Sequence, residues 1–409
     1  MKVVLVNVVN KILSTGRNCF EINDILNLQG IKCWTAYSYG VKTKNSFRIS
    51  SPLECKYHAF MSRLTGKQGY YSYFSTQKLI NFLEKEKPDI IHLNNLHGNY
   101  LNINTLLEYL KEKKIATVIT LHDCWMYTGK CTHYSNLKCY KWKTGCYECQ
   151  KLKLDHNSWF LDRTKKLWKD KLEHFREIPY LAVIGVSDWI TNEAKQSPFF
   201  SNAKIIKRIY NWIDLDVFKP EDISGLKKEL YGDKKIYLGI ASIWDDRKGL
   251  NKFIEISKKL NKDEIIILIG NIKNKKLPSN IINIPRTENI KTLVKYYNMA
   301  DLFIQLSTEE SFGKVVAEAL SCGIQVLTNN NTANPELIPK SCGMILNSLD
   351  TELVYSSIQK MMKNIRNRND CRTFAIKNFN KNILINQHID LYRKLLKIKE
   401  GELSDNISY

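Results

Sequence analysis

The chain has 409 residues, 44% of them hydrophobic and 25% charged, which excludes a disordered or fibrous protein and leaves room for two cores of roughly 200 residues each. Lys and Arg number 62 against 41 Asp and Glu, a net charge of +21 that favours a polyanionic partner such as nucleic acid, anionic lipid headgroups or a diphosphate-linked substrate. No window approaches the roughly 18 consecutive apolar residues that cross a bilayer, and eleven Cys without a secretory leader point to a reducing cytoplasm.

Strand-like apolar runs alternate with helical patterns along the chain, which predicts an α/β protein with parallel sheets covered on both faces. The opening run predicts a buried strand over Val3 to Val9, and Asn7, Asn10 and Lys11 interrupt it too early for a leader peptide. Ser14-Thr15-Gly16-Arg17 follows as a short polar loop. There is no GxGxxG, so no dinucleotide cofactor is suggested, and Gly16 would also serve as a plain turn residue. Further strands are predicted over Ile90 to Leu93, Ala116 to Leu121 and Leu181 to Val186. The segment Ile91-His92-Leu93-Asn94-Asn95-Leu96-His97 and the dipeptide His122-Asp123 stand at the ends of two of these strands. A strand-end His can hydrogen-bond a ligand hydroxyl or shuttle a proton.

Cys131, Cys139, Cys146 and Cys149 lie within nineteen residues. Four thiolates close a tetrahedral zinc site, and Cys146-Tyr147-Glu148-Cys149 has the two-residue gap that such sites use; reduced, packed thiols are the alternative. The segment from Trp159 to Arg176 sets Leu167, Trp168, Leu172 and Phe175 among Lys and Arg, a pattern that either packs on its own domain or lies on an anionic membrane. Leu64 to Tyr71 is also basic and aromatic. Phe218 to Gly225 is polar and contains Pro and Gly, so the linker between halves is placed there. Asp214 and Asp216 form a DxD, a pattern that can chelate a divalent ion through phosphates; its place in the crossover between the halves favours the structural reading instead.

In the second half, strands are predicted over Ile236 to Ala241, Ile265 to Ile269, Ile281 to Ile284, Leu302 to Leu306 and Gln325 to Thr328. Asp245-Asp246-Arg247-Lys248-Gly249 follows the first of them and would set cations against a leaving phosphate. Glu310 falls in the loop before a helix and Glu318 inside it, about two turns on at roughly 1.5 Å per residue, so the two acids touch different parts of one elongated ligand. The amides of Phe312, Gly313 and Lys314 at that helix start attract phosphate. From Thr373 to Glu400, apolar residues at helical intervals predict one or two long helices.

The stretch from Thr308 to Gly323, with Ser311-Phe312-Gly313 between its two Glu and Ala319-Leu320-Ser321-Cys322-Gly323 at its end, closely resembles the E-x7-E signature of retaining glycosyltransferases of family 4. Lys248-Gly249 matches that family's Lys-Gly pair; Ile243 stands where its partner Arg is usual, leaving Arg247 as the substitute. Asn211-Trp212-Ile213-Asp214 resembles its Asn-Gly-Ile-Asp segment with Trp212 in place of Gly. His122-Asp123-Cys124-Trp125 with the Cys cluster resembles a subgroup that builds colanic-acid-type, capsular and O-antigen polysaccharides.

The resemblance implies an α/β GT-B fold: two Rossmann-like doubly wound domains facing across a cleft, with a C-terminal helix crossing back to the first. The expected division is an acceptor domain over 1–215 with a Cys-rich insert at 124–150, a donor domain over 216–380, and a returning helix over 381–409. It implies catalytic roles for Glu310, Arg247, Lys248 and His122, and donor binding by Glu318, Ser311, Phe312, Gly313, Lys314, Gly16 and Arg17. Glu310 would hold the transferred sugar and Glu318 the ribose.

No cofactor is expected for catalysis, with structural zinc on Cys131, Cys139, Cys146 and Cys149. The expected partners are a nucleotide-sugar donor, a glycan or lipid-diphosphate acceptor and an anionic membrane surface, with no nucleic acid. A cytoplasmic enzyme, peripheral on the inner membrane face and moving a hexose from a UDP- or GDP-sugar, follows. The rival readings are a zinc-stabilised nucleic-acid-binding protein and a GT-B sugar-nucleotide epimerase.

Overall fold

A computed structural model describes residues 1–273, 275–287, 289–364 and 367–405. Its contacts divide the chain into two units, one of residues 1–209 with 385–409 and one of residues 210–384. These divisions fall beside the expected 215/216 and 380/381.

The first unit is built on seven strands: β1 (Lys2–Asn10), β2 (Lys32–Gly40), β3 (Ser46–Arg48), β4 (Ile90–Leu93), β5 (Ala116–Leu121), β6 (Leu181–Gly185) and β7 (Ile205–Arg208). They form one parallel sheet in the order β3-β2-β1-β4-β5-β6-β7. The central strands are fully buried, which explains why they read as unbroken apolar runs. β2, β3 and β7 were not evident in the sequence; β2 mixes polar and aromatic residues, and β3 and β7 are short, part-exposed edge strands.

The second unit carries six more: β8 (Lys235–Trp244), β9 (Glu264–Ile272), β10 (Ile281–Ile284), β11 (Leu302–Gln305), β12 (Val326–Asn329) and β13 (Gly343–Leu346). Their order is β10-β9-β8-β11-β12-β13, again all parallel. In both sheets the order reverses beside the first strand, between β1 and β4 and between β8 and β11. Open α/β sheets bind ligands at the carboxyl ends of strands at such a reversal.

Some expectations are corrected. Ser14 to Arg17 are not a loop but the first turn of the helix Leu13–Leu28, after a tight turn in which Lys11 and Leu13 take positive φ. A Cβ on Gly16 would stand 3.1 Å from the Val9 carbonyl oxygen, so this glycine lets the helix lie close on β1. His92 does not sit at a strand end; it is buried inside β4, where Nδ1 meets the Tyr392 hydroxyl and Nε2 the Thr120 hydroxyl, each at 2.7 Å. That contact fastens the helix Lys381–Asp405, from residue 385 on, to the first sheet.

The segment from Trp159 splits. The helix Thr164–Glu177 buries Leu167 and Phe175 against its own unit, while Trp159 and Phe160 stay exposed before it. Asp214 and Asp216 form a turn in which Asp214 accepts from the Asp216 amide and pairs with Lys381 at 3.1 Å, as the structural reading of this DxD requires. Among the described residues, no helix is long and apolar enough to cross a membrane.

Candidate active site

The second unit's site forms where β8 and β11 end. After β8, Asp245 caps a 3₁₀ turn, Asp246–Lys248, by accepting the Lys248 amide at 3.0 Å. Gly249 then turns the chain at φ +81; a Cβ there would lie 2.8 Å from the Leu306 Cβ, so only glycine lets this turn pass so close to the loop after β11. The Thr308 amide donates to the Arg247 carbonyl at 2.8 Å and ties the two loops together.

This backbone brings Lys248 and Glu310 into contact: the Lys248 ammonium donates to Glu310 Oε1. Gln305, the last residue of β11, donates Nε2 to the same oxygen at 3.0 Å. The Glu310 amide donates to Thr332 Oγ1 at 2.9 Å, and the Ala333 amide donates to the Glu310 carbonyl at 3.2 Å. Glu310 is thus held by backbone and side chain together. Arg247 differs: its side chain is 54% exposed and folds back on Asp245, at 3.2 Å through Nε and 3.1 Å through Nη2.

The helix Lys314–Ser321 begins at Gly313, whose φ of +85 again suits glycine and which has no side chain of its own to cap it. Its N-terminus therefore presents its positive dipole end beside the Glu310 loop. Phe312 is buried against Tyr210 and Phe379, with ring centroids at 5.7 and 5.9 Å, so only its backbone is open to a ligand role. Ser311 and Lys314 flank that start, half-buried.

Glu318, further along the helix, meets the Tyr297 hydroxyl at 2.9 Å. Burial first, and then the Glu318 charge, push the Tyr297 phenol well above its ordinary range, so it remains a proton donor to the carboxylate. Gln305, Thr332 and Tyr297 were not singled out in the sequence. Each is joined to its Glu through folding rather than through a local pattern; only the strand-end position of Gln305 hinted at a role.

In the first unit, His122 follows β5 and donates Nε2 to Asn94 Oδ1 at 3.0 Å, Asn94 standing just past β4. Next to it, His97 Nε2 lies 2.8 Å from Asp123 Oδ2, with the Trp125 and His156 rings around it. Burial alone would raise the Asp123 carboxyl, but the His97 charge and the Trp125 amide outweigh it and hold the group well below the usual carboxylate range. Burial likewise opposes the His97 imidazolium, and the Asp123 carboxylate overcomes it, so His97 is raised. Gly16 and Arg17 stand in the helix after β1, with Arg17 Nε on the Leu13 carbonyl at 3.3 Å.

Two doubly wound parallel units, the second with an acid–ammonium pair and a helix start at its strand-order reversal, define a protein of the GT-B class. The comparisons agree. The model for glycosyl transferases group 1 matches residues 226–378, and that for glycosyltransferase family 4 matches residues 50–217. The chain belongs to these GT-B glycosyltransferases.

Among similar proteins, the putative colanic acid biosynthesis glycosyl transferase WcaC of Escherichia coli (strain K12) is 23% identical over 331 residues, covering 77% of this chain and 80% of that protein. The sucrose-phosphate synthase of Thermosynechococcus elongatus superposes with a TM-score of 0.71 at 15% identity, over 97% of this chain and 99% of that one. HepE of Anabaena, solved in complex with UDP-glucose, gives 0.65 at 14% identity, over 96% and 100%.

Proposed function

We propose that the protein transfers a hexose, with retention of configuration, from a UDP- or GDP-sugar to a glycan acceptor on a lipid diphosphate, in building a surface polysaccharide. The observation that carries this reading is the Lys248–Glu310 contact at the β8/β11 reversal, next to the helix start at Gly313. A nucleotide diphosphate laid along that start meets the helix dipole and the Lys248 ammonium, which neutralise the charge that develops as the sugar bond breaks. Glu310 then exchanges its partner Lys248 for hydroxyls of the sugar. Glu318 lies further along the helix and takes the ribose, with Tyr297 fixing its carboxylate. Arg247 leaves Asp245 to join the diphosphate, and the departing phosphate accepts the acceptor's proton. The kinship to WcaC supports a polysaccharide product, and the UDP-glucose bound by HepE supports a uridine nucleotide.

The enzyme works at an anionic membrane face. The helix Pro52–Thr65 exposes Leu53, Tyr57, Phe60 and Leu64 at helical spacing, with Lys56 and Arg63 among them. Trp159 joins this face edge-on to Phe60, with ring centroids at 5.9 Å, and Phe160 and Leu161 continue it. Exposed aromatics ringed by cations suit the headgroup layer.

The test is incubation of the purified chain with a panel of UDP- and GDP-sugars and a polyprenyl-diphosphate-linked acceptor, with products read by mass spectrometry and anomeric NMR. A glycosylated acceptor with retained configuration is expected. Interconversion of the sugar nucleotide without an acceptor would instead identify an epimerase, and no consumption of any donor would remove the reading.

A further inference from the structure

We propose that the second unit holds a further binding site, at the amino ends of β11 and β12, for a small molecule with an amide-type edge: an N–H donor beside an acceptor, as a nucleobase or a carboxamide presents. A cavity of about 270 Å³ opens there, with Ile223, Lys227, Met299, Asp301, Gln325 and Arg368 in its wall. Asp301 directly precedes β11 and Gln325 directly precedes β12, whereas Gln305, which touches Glu310, ends β11. Four strand residues at about 3.3 Å each set the two sites roughly 13 Å apart, at opposite ends of one sheet. A nucleotide at the candidate active site therefore does not fill this cavity.

Gln325 carries the inference. It is only 3% exposed, and among the described residues neither Oε1 nor Nε2 of its side chain has a hydrogen-bond partner; its backbone carbonyl alone is engaged, accepting from the Phe303 amide at 3.0 Å. Buried polar groups are costly when unpaired. A carboxamide with both atoms unmatched in the wall of a cavity is one that a bound molecule satisfies.

The neighbouring polar groups are already committed to one another. Lys227 Nζ donates to both Asp301 carboxylate oxygens, at 2.8 and 2.6 Å, and the Ile236 amide donates to Asp301 at 2.8 Å. Asn298 accepts from the Glu221 amide at 2.9 Å and donates to the Lys219 and Val294 carbonyls at 3.0 and 3.1 Å. The exposed residues of the lining, Glu221, Asp222 and Arg368, carry both signs, which favours a ligand without a large net charge.

Met299, Ala300 and Ile324 add buried apolar surface to the wall, and Ile223 is half-buried. Apolar surface around a few placed polar groups is the make-up of a small-molecule site, and about 270 Å³ falls just below the roughly 300–1,000 Å³ of pockets for drug-sized ligands. The cavity thus suits one or two rings. A glutamine amide pairs edge to edge with a donor and an acceptor side by side, as it does with adenine; an anion or an ammonium group would satisfy only half of it.

The experiment follows the carbon-13 methyl resonances of Met299 and Ile324 in the full chain during titration with adenosine and with nicotinamide. Each is compared with an analogue that lacks the N–H donor, purine riboside for adenosine and 3-acetylpyridine for nicotinamide. Saturable shifts of both methyls are expected with adenosine, identifying a nucleobase site, or with nicotinamide, identifying a carboxamide site, and the analogue should bind about 5- to 150-fold more weakly, the worth of a matched edge. Gln325→Leu should abolish the shifts and leave the melting temperature unchanged or higher, since it removes an unpaired buried amide. Methyls that stay unshifted with both probes at millimolar concentration, analogues that bind as well as the probes, or shifts retained in Gln325→Leu would overturn the site. Should Gln325→Leu fail to fold, the preference of the wild type for a probe over its analogue decides alone.

Discussion

Glu310 receives two donors on one oxygen, the Lys248 ammonium and the Gln305 amide, and this sets what its replacement does. Glu310→Gln keeps the shape but loses the charge and forces Gln305 to face another amide. The Lys248–Glu310 pair is 29% and 17% exposed, so its net worth to stability is small, about 0–1 kcal/mol. Its worth to transfer is larger, because a group aimed at developing charge contributes roughly 10²- to 10³-fold. Glu310→Gln and Lys248→Met should each lower kcat/KM by that range while the melting temperature moves little. A large loss of stability with unchanged kcat/KM would make the pair structural.

Arg247→Ala should lose less than Lys248→Met, since Asp245 holds the Arg247 side chain at the surface. Gly249→Ala tests a different term. Its φ of +81 and the 2.8 Å approach to Leu306 predict a destabilisation of about 1–3 kcal/mol, readable by urea unfolding. Glu310, Glu318 and Lys248 were legible in the sequence because each stands in a local pattern. Gln305, Tyr297 and Thr332 were not, because their contacts are made across the fold.

At the scale of elements, the sequence revealed the buried strands and hid three of the four edges, β3, β7 and β13. Ile90 to Leu93 and Ala116 to Leu121 match β4 and β5 residue for residue, because strands buried on both faces carry continuous apolar runs; Ile281 to Ile284 matches β10, a part-buried edge strand that is apolar at three of its four positions. β13 escaped notice as an edge strand with only its ends buried. The helix start at Gly313 was legible from the glycine; the helix containing Gly16 was not, because its preceding turn uses positive φ at Lys11 and Leu13 rather than at a glycine.

The docking of the helix Lys381–Asp405 turns on His92, a residue that gave no local sign of this. Burial, then the neighbouring His388 and His122, hold its imidazole well below the ordinary value. The fold therefore favours neutral His92. A histidine lowered in this way contributes stability that is present above its unfolded value of about 6.5 and is lost as pH falls through the folded one. Amide exchange in residues 385–402, corrected for intrinsic rates, should show less protection at pH 5.5 than at pH 7.5. His92→Gln should flatten that dependence and lower protection by about 1–3 kcal/mol, since Tyr392 or Thr120 is left without its partner. A pH slope identical in the variant would assign the dependence to another group.

For the molecule as a whole, the net charge of +21 was readable, but not which surface uses it. The sequence pointed to the segments 159–176 and 64–71; folding turned Leu167 and Phe175 inward and left Trp159 and Phe160 outside, beside a helix, Pro52–Thr65, whose outer face carries Leu53, Tyr57, Phe60 and Leu64. A surface of this make-up binds by two additive terms. Cations near an anionic leaflet contribute about 1 kcal/mol each, roughly fivefold in affinity, and fade with salt over a Debye length of about 10 Å at 0.1 M. Inserted aromatics contribute by area and do not fade. Flotation with vesicles containing phosphatidylglycerol should therefore bring the protein up at low salt, and phosphatidylcholine vesicles should not. Lys56→Gln with Arg63→Gln should weaken binding by about 25-fold and flatten its salt dependence. Phe60→Ser with Phe160→Ser should weaken it at every salt concentration while leaving the salt slope unchanged. Equal binding to both lipids, or a wild-type response from the Phe pair, would place the membrane contact elsewhere on the chain or remove it altogether.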